Sequence, residues 1–220
     1  MINKHLKNFK LQYITSASPR YDEIESANLA LQGGCRWIQL RMKKASKSEV
    51  LKFAIKLKEL CSKFDATFIV NDDPQIALDS DADGVHLGYD DMPVFDARQI
   101  LGEEKIIGST CNTFSDICFA KEQGANYVGL GPYRQTITKD NLSPLLGLSG
   151  YQWILSYLFE RKIKIPVVAI GGIEFFDVGY LLDMGVTGIG VSGGILNADN
   201  VIKRTESFLA RINIYDANYR

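Results

Sequence analysis

The chain has almost no net charge: −1 at pH 7 over 220 residues. That excludes a global basic field of the kind that binds nucleic acid or anionic lipid, so any anionic ligand must be compensated locally. It also lacks paired cysteine motifs. Cys35, Cys61, Cys111 and Cys118 show no C-x-x-C spacing, which argues for free thiols in a reducing cytosol rather than a disulfide framework. No apolar run is long enough to cross a bilayer. Met1–Lys10 is polar and basic without an apolar centre, unlike a signal peptide, and a cytoplasmic location is the expectation. No G-x-G-x-x-G follows the first apolar run, which weakens a dinucleotide-binding reading. No linker divides the chain, and 46% hydrophobic residues suffice for one sizeable core.

What the sequence does have is a repeating alternation. Short continuous apolar runs occur at Leu11–Ser16, Trp37–Leu40, Thr67–Val70, Gly84–Leu87, Lys105–Gly108, Tyr127–Leu130, Val167–Ile170 and Gly188–Val191. Between them lie segments of helical periodicity: Tyr21–Leu31, a stretch opened by Ser46 and Glu49, Pro74–Asp79, Val94–Leu101, Phe114–Gln123, about Gly150–Arg161 and Phe175–Met184. A last helix is expected over about Asp199–Ile212. Continuous apolar runs suit strands buried on both faces, as in parallel sheets. Eight such units predict a single-domain (β/α)8 TIM barrel over 11–214, with a polar extension at 1–10 and a polar tail at 215–220. The runner-up is an open doubly wound sheet.

In such a barrel the reactive residues lie just past the C-terminal ends of the strands. After the second run come Gln39, Arg41, Lys43 and Lys44. Gln39 and Arg41 share parity and so can both face the barrel mouth. Arg41 and Lys43 suit phosphate, or else form a solvated basic turn. Asn71-Asp72-Asp73 follows the third run and His86 to Asp91 the fourth. Acidic groups at neighbouring strand ends can share one hard cation such as Mg²⁺, or they can cap helices. Asp73 and Asp90 fit caps or surface positions better, and His86 fits a packed, hydrogen-bonded histidine. Thr110 and Asn112 follow the fifth run and can meet a substrate or cap the next helix. Cys111 reads as a small tolerated thiol.

After the sixth run, Gly129, Gly131 and Pro132 start a loop carrying Thr136, Thr138 and Lys139. Hydroxyls plus an ammonium suit an anion, although these residue types are also common in solvated loops. Gly171-Gly172 and Val191-Ser192-Gly193-Gly194 end the last two runs. Glycines there let backbone N–H groups approach a phosphate.

Taken together, Gln39-Leu40-Arg41-Met42-Lys43, Ile69 to Asp73, Ala82 to Gly88 with Asp91, Gly129-Leu130-Gly131-Pro132 with Thr136-Ile137-Thr138-Lys139, and Ile170 to Ile173 resemble the thiamine-phosphate synthase (pyrophosphorylase) family over Leu11 to Ile212. The resemblance implies a TIM-barrel transferase that joins an aminopyrimidine methyl diphosphate to a thiazole ethyl phosphate, with Mg²⁺. By position it implies Gln39, Arg41, Lys43, Asn71, Thr110 and Lys139 for the pyrimidine diphosphate. It implies Asp72 and Asp91 for the metal, and Thr136, Thr138, Gly172, Val191 and Ser192 for the thiazole phosphate. Arg41, Lys43 and Lys139 would carry the catalytic charge. The partners expected are small phosphorylated molecules, with no nucleic acid and no membrane; self-association stays open. Three positions depart from the family pattern: Arg134 stands where an aromatic residue is usual, Thr110 where serine is frequent, a mild change that keeps the hydroxyl, and Asn112 where histidine is common. Arg134 can add a phosphate contact or be solvated. A thiazole tautomerase-like protein and a non-catalytic barrel binding a phosphorylated ligand are the alternatives.

Overall fold

The computed structural model describes residues 8–135 and 144–219. Eight parallel strands close into a barrel in sequence order, with β1 (Leu11–Ile14) pairing both β2 (Trp37–Leu40) and β8 (Gly188–Val191). Between them run β3 (Thr67–Asn71), β4 (Gly84–Leu87), β5 (Ile106–Cys111), β6 (Tyr127–Leu130) and β7 (Val167–Ala169). The helices are α1 (Glu23–Gln32), α2 (Lys47–Lys63), α3 (Pro74–Asp79), α4 (Val94–Leu101), α5 (Phe114–Glu122), α6 (Gly147–Glu160), α7 (Asp177–Asp183), α8 (Gly193–Leu196) and α9 (Val201–Tyr219). Among the described residues no helix is long and apolar enough to cross a membrane.

The strands are continuous apolar runs because both their faces are covered. Outward positions such as Tyr13, Ile38, Leu40, Phe68 and Val70 pack with the helices in the larger core. Inward positions split by height. At the N-terminal end Phe9, Trp37, Ile69, Ile106, Tyr127 and Val168 fill the barrel, with Phe9 stacked on Trp37 at 4.3 Å. At the other end the inward residues are polar: Gln12, Gln39, Asn71, His86 and Thr110 line a cavity. Strand parity sets which residues point inward, and height along the strand divides them into an apolar plug below and a polar floor above. Gly108 makes the packing possible. A Cβ there would sit 2.2 Å from the Tyr127 ring and 2.5 Å from His86 Nδ1.

Local signals set the helix starts. Asp22 and Glu25 form a capping box for α1, as Thr113 and Asp116 do for α5. Ser46 caps α2 through the Glu49 N–H. Beyond small shifts at element ends, three departures from the sequence expectation stand out. β5 extends to Cys111 because Ser109 and Thr110 pair with β6 despite their polarity. The short helix α8 begins at Gly193-Gly194, which the sequence places in the loop after the eighth run. The last helix runs to Tyr219, through the residues read as a tail, and Asp216 forms an ion pair with Lys10 beside β1.

Candidate active site

The cavity at the C-terminal mouth of the barrel measures about 1200 Å³. Its floor is a connected polar layer. Gln39 Nε2 donates to Asn71 Oδ1 at 2.7 Å, tying β2 to β3. His86 is buried and held at both nitrogens, with Nδ1 2.9 Å from the Tyr127 hydroxyl and Nε2 3.0 Å from Thr110 Oγ1. The Tyr127 hydroxyl also accepts from Gln12 Nε2 at 3.3 Å. This fits the packed-histidine expectation: the imidazole orients Thr110 toward the cavity. Gln39 Oε1 and Ser192 Oγ are buried without a partner among the described residues, although both side chains line the cavity. Leaving such atoms unpaired costs about 1–3 kcal/mol each, so a ligand that pairs them gains that much.

The rim over β2, β3 and β4 carries charge. Arg41 lines the mouth, as its parity predicts, and its N–H donates to Thr15 Oγ1 at 3.0 Å. Lys43 Nζ meets Asp72 Oδ2 at 2.5 Å. Asp72 holds a left-handed backbone, φ 72°, and donates its N–H to His86 O at 2.8 Å. That conformation is uncommon for a residue with a Cβ, and aspartate tolerates it better than most. It turns the carboxyl to within hydrogen-bonding reach of the Asp91 carboxyl. Asp91 is fixed in turn by the Gly88 N–H at 2.6 Å. Burial, and then the Asp91 neighbour, push the Asp72 carboxyl up to about 6 from 3.8, in spite of Lys43.

Neither acid of this pair caps a helix. Asp73 caps α3 instead, accepting from the Gln75 and Ile76 N–H groups, and it pairs with Lys47. α4 starts at Pro93 with no side-chain cap. Two converging carboxylates that cap no helix, one of them costly to ionise, suit a hard divalent cation. Mg²⁺ takes one or two carboxylates and fills its remaining positions with water and phosphate oxygens. No group of three or more His, Cys, Asp or Glu clusters among the described residues.

The rim over β6, β7 and β8 is built differently. Gly171 and Gly172, at φ 86° and 69°, turn the chain after β7, and Ser192 precedes α8. Gly172, Val191 and Ser192 all line the cavity. Val191 buries its side chain in the outer core, so its main chain is what it offers a ligand. Arg134 lines the cavity and keeps 45% of its side chain exposed, yet its guanidinium is engaged by the protein itself. Its guanidinium grips Asp177 through two hydrogen bonds of 2.6 and 2.8 Å and donates to Gly172 O at 3.1 Å. Asn112, where an acid/base histidine was in question, donates to Gly131 O and Pro144 O at 3.0 and 2.9 Å. It ties down both ends of the β6–α6 connection. Cys111 is buried, which pushes its thiol up to about 12 and leaves it inert as a nucleophile. Thr136, Thr138 and Lys139 lie outside the described residues.

Sequence reasoning missed Gln12, whose only signal is its inward parity on β1, and the Arg134–Asp177 pair, which has none. It also missed Arg20, which donates to Leu196 O and Ala198 O at 3.1 and 2.8 Å and closes the seam between the first and last loops.

The sequence model of the thiamine monophosphate synthase family matches residues 11–195. The chain is 50% identical over 199 residues to the thiamine-phosphate synthase of Bacteroides fragilis, covering 90% of this chain and 98% of that one. It is 47% identical over 203 residues to that of Phocaeicola vulgatus, covering 92% and 98%. Among solved structures, the thiamine phosphate pyrophosphorylase from Pyrococcus furiosus superposes with a TM-score of 0.83 at 35% identity, covering 95% of this chain and 98% of that one.

Proposed function

The chain belongs to the thiamine monophosphate synthase family, a transferase that forms thiamine phosphate, and we propose how it does so. An aminopyrimidine methyl diphosphate and a thiazole ethyl phosphate bind together in the barrel mouth. The bond between the pyrimidine methylene carbon and the diphosphate oxygen breaks, and its electron pair leaves with the diphosphate. The thiazole nitrogen lone pair then bonds to the methylene carbon. No proton needs to move, so the site requires stabilised charge on the leaving group rather than a strong base.

Arg41 and Lys43 stand at the rim where that negative charge grows, and Lys139 is assigned the same charge-stabilising role. Gln39, Asn71 and Thr110 hold the pyrimidine end. Thr136, Thr138, Gly172, Val191 and Ser192 take the thiazole phosphate. Asp72 and Asp91 hold Mg²⁺, which when bound supplies further positive charge to the leaving diphosphate. Two anions held separately in one cavity fix the nucleophile against the carbon, so the encounter becomes effectively intramolecular.

The single observation that carries this reading is the arrangement of the rim. Asp72, backed by Asp91 behind it, stands with Lys43 and Arg41 on one side of a single cavity, and a glycine-turn cradle at Gly172 and Ser192 stands on the other. The test is product formation from the two substrates with magnesium, with EDTA, and with magnesium restored. Synthesis that stops and resumes supports the reading. Binding without turnover would favour the non-catalytic barrel. A tautomerase lacks support, because the Asn112 amide is committed to two main-chain carbonyls.

A further inference from the structure

We propose that Arg134 is a positioning residue: it locks the turn at Gly171–Gly172 into shape for the second anion, acting through Asp177 and without touching the ligand. The proposal rests on the reading of Gly172 as part of the thiazole-phosphate cradle. Residues after β6 track residues after β7 step by step. Tyr133 N–H donates to Ile170 O at 2.9 Å, and Arg134 N–H to Gly171 O at 3.0 Å. The Arg134 side chain then folds over the turn. A Cβ on Gly172 would lie 2.5 Å from Arg134 Cγ, so the arginine stem occupies the space beside that glycine.

The guanidinium ends the path on Asp177, whose side chain is only 10% exposed. Asp177 in turn accepts the Glu174 N–H at 2.7 Å, on the far side of the same turn. One planar cation therefore clasps the turn from both ends: Gly172 O at 3.1 Å directly and Glu174 N–H through the carboxylate. Arginine's fixed fork suits this bidentate job, and lysine's point charge does not. The guanidinium is paired with a nearly buried carboxylate, although the arginine side chain itself stays 45% exposed at the cavity edge.

The experiment compares Arg134→Gln, Asp177→Asn and the double variant with the parent protein. Michaelis constants for the two substrates are measured beside calorimetric binding of inorganic phosphate. A clasp predicts that each single variant raises the thiazole-phosphate constant by about tenfold. The double variant is then no worse than the worse single one, since linked residues are non-additive. The pyrimidine-diphosphate constant stays within about twofold, which a merely unfolded or loosened barrel would not allow. Phosphate affinity falls in the same pattern.

Unchanged or tighter thiazole-phosphate binding in Asp177→Asn overturns the proposal, because a freed Arg134 would then be acting on the ligand itself. Effects that multiply in the double variant, or equal losses for both substrates, overturn it too. If the parent protein makes no product while the phosphate pattern holds, the synthase reading fails and the clasp stands. Should Arg134→Gln not fold, Arg134→Lys carries the same comparison.

Discussion

Replacing Asp72 with asparagine should make the metal-free protein more stable at pH 8, even though it removes one partner of an ion pair. The carboxyl titrates at about 6 in the fold against an ordinary 3.8. That gap is worth about 3 kcal/mol at roughly 1.4 kcal/mol per pH unit. It already includes the favourable Lys43 contact, since Lys43 acts against the rise. The side chain is 28% exposed and its titration is tied to that of Asp91, so about 3 kcal/mol is an upper bound and about 1–2 kcal/mol the expected gain. Asparagine keeps the shape and is among the residues that best tolerate φ 72°, so the backbone need not move.

The sign follows from proton counting. Between the two pKa values the folded state binds more protons than the unfolded one, so stability falls as pH rises through that window. The parent protein should therefore lose stability from about pH 4 to about pH 6, and Asp72→Asn should not. The variant's advantage should be full at pH 8, about half at pH 5 and a small fraction near pH 4. Heat unfolding in EDTA reads this directly, with about 2–4 °C per kcal/mol for a chain of this size. Adding magnesium should reverse the order at pH 8. At a hundredfold excess over its dissociation constant it stabilises the parent by about 2.7 kcal/mol, and it should do far less for the variant. A variant that is less stable in EDTA at pH 8, or equally shifted at pH 4 and pH 8, would refute the reasoning.

Lys139→Ala should lower turnover by at least about a hundredfold through lost charge stabilisation, with the unfolding midpoint within a degree or so of the parent; unchanged turnover would remove Lys139 from the mechanism. Gly172→Ala should raise the thiazole-phosphate constant and cost about 1–3 kcal/mol, because φ 69° and a Cβ 2.5 Å from Arg134 Cγ are both incompatible with alanine; a neutral effect on both would mean the turn is not constrained. Tyr151→Phe should cost about 1 kcal/mol in chemical denaturation without changing turnover. The hydroxyl donates to Leu130 O and accepts from Ile170 N, but Ile170 N keeps its own bond to Leu130 O at 3.0 Å.

The barrel was readable because burial on both faces leaves a plain trace, a run of apolar residues with no alternation, and it left that trace eight times. The same logic hid the end of β5, where Thr110 is polar because it faces the cavity and Ser109 beside it breaks the apolar run. Glycine pairs were ambiguous in a different way. Gly171-Gly172 makes a true turn at positive φ, while Gly193-Gly194 opens a helix, and local sequence alone does not separate the two. Strand ends placed Asp72 and Asp91 on one rim, but whether they converge depends on a left-handed backbone at Asp72 and on the Gly88 N–H holding Asp91. Arg134 was open between a ligand contact and solvent because its true partner, Asp177, lies 43 positions away in the chain.

The two sides of the rim differ in how they meet an anion, and the chemistry explains the difference. Over β2, β3 and β4 the cavity offers side-chain cations and a carboxylate pair that suits a metal. Over β7 and β8 it offers glycine main chain and a serine hydroxyl, with Arg204 of α9 also on the cavity wall, while the nearby Arg134 and Arg20 are turned onto the protein's own carboxylate and carbonyls. In a reaction that begins with loss of diphosphate, negative charge accumulates on the leaving group and positive charge on the carbon it leaves. Full cations are useful at the first place and harmful at the second, where they would repel the forming carbocation and draw electron density from the attacking nitrogen. Neutral donors can still anchor a phosphate there, because N–H and O–H groups supply directed hydrogen bonds with little long-range field. Arg41 and Lys43, on the rim opposite the Arg134–Asp177 pair, are placed to serve the leaving group in the dissociative transfer proposed above.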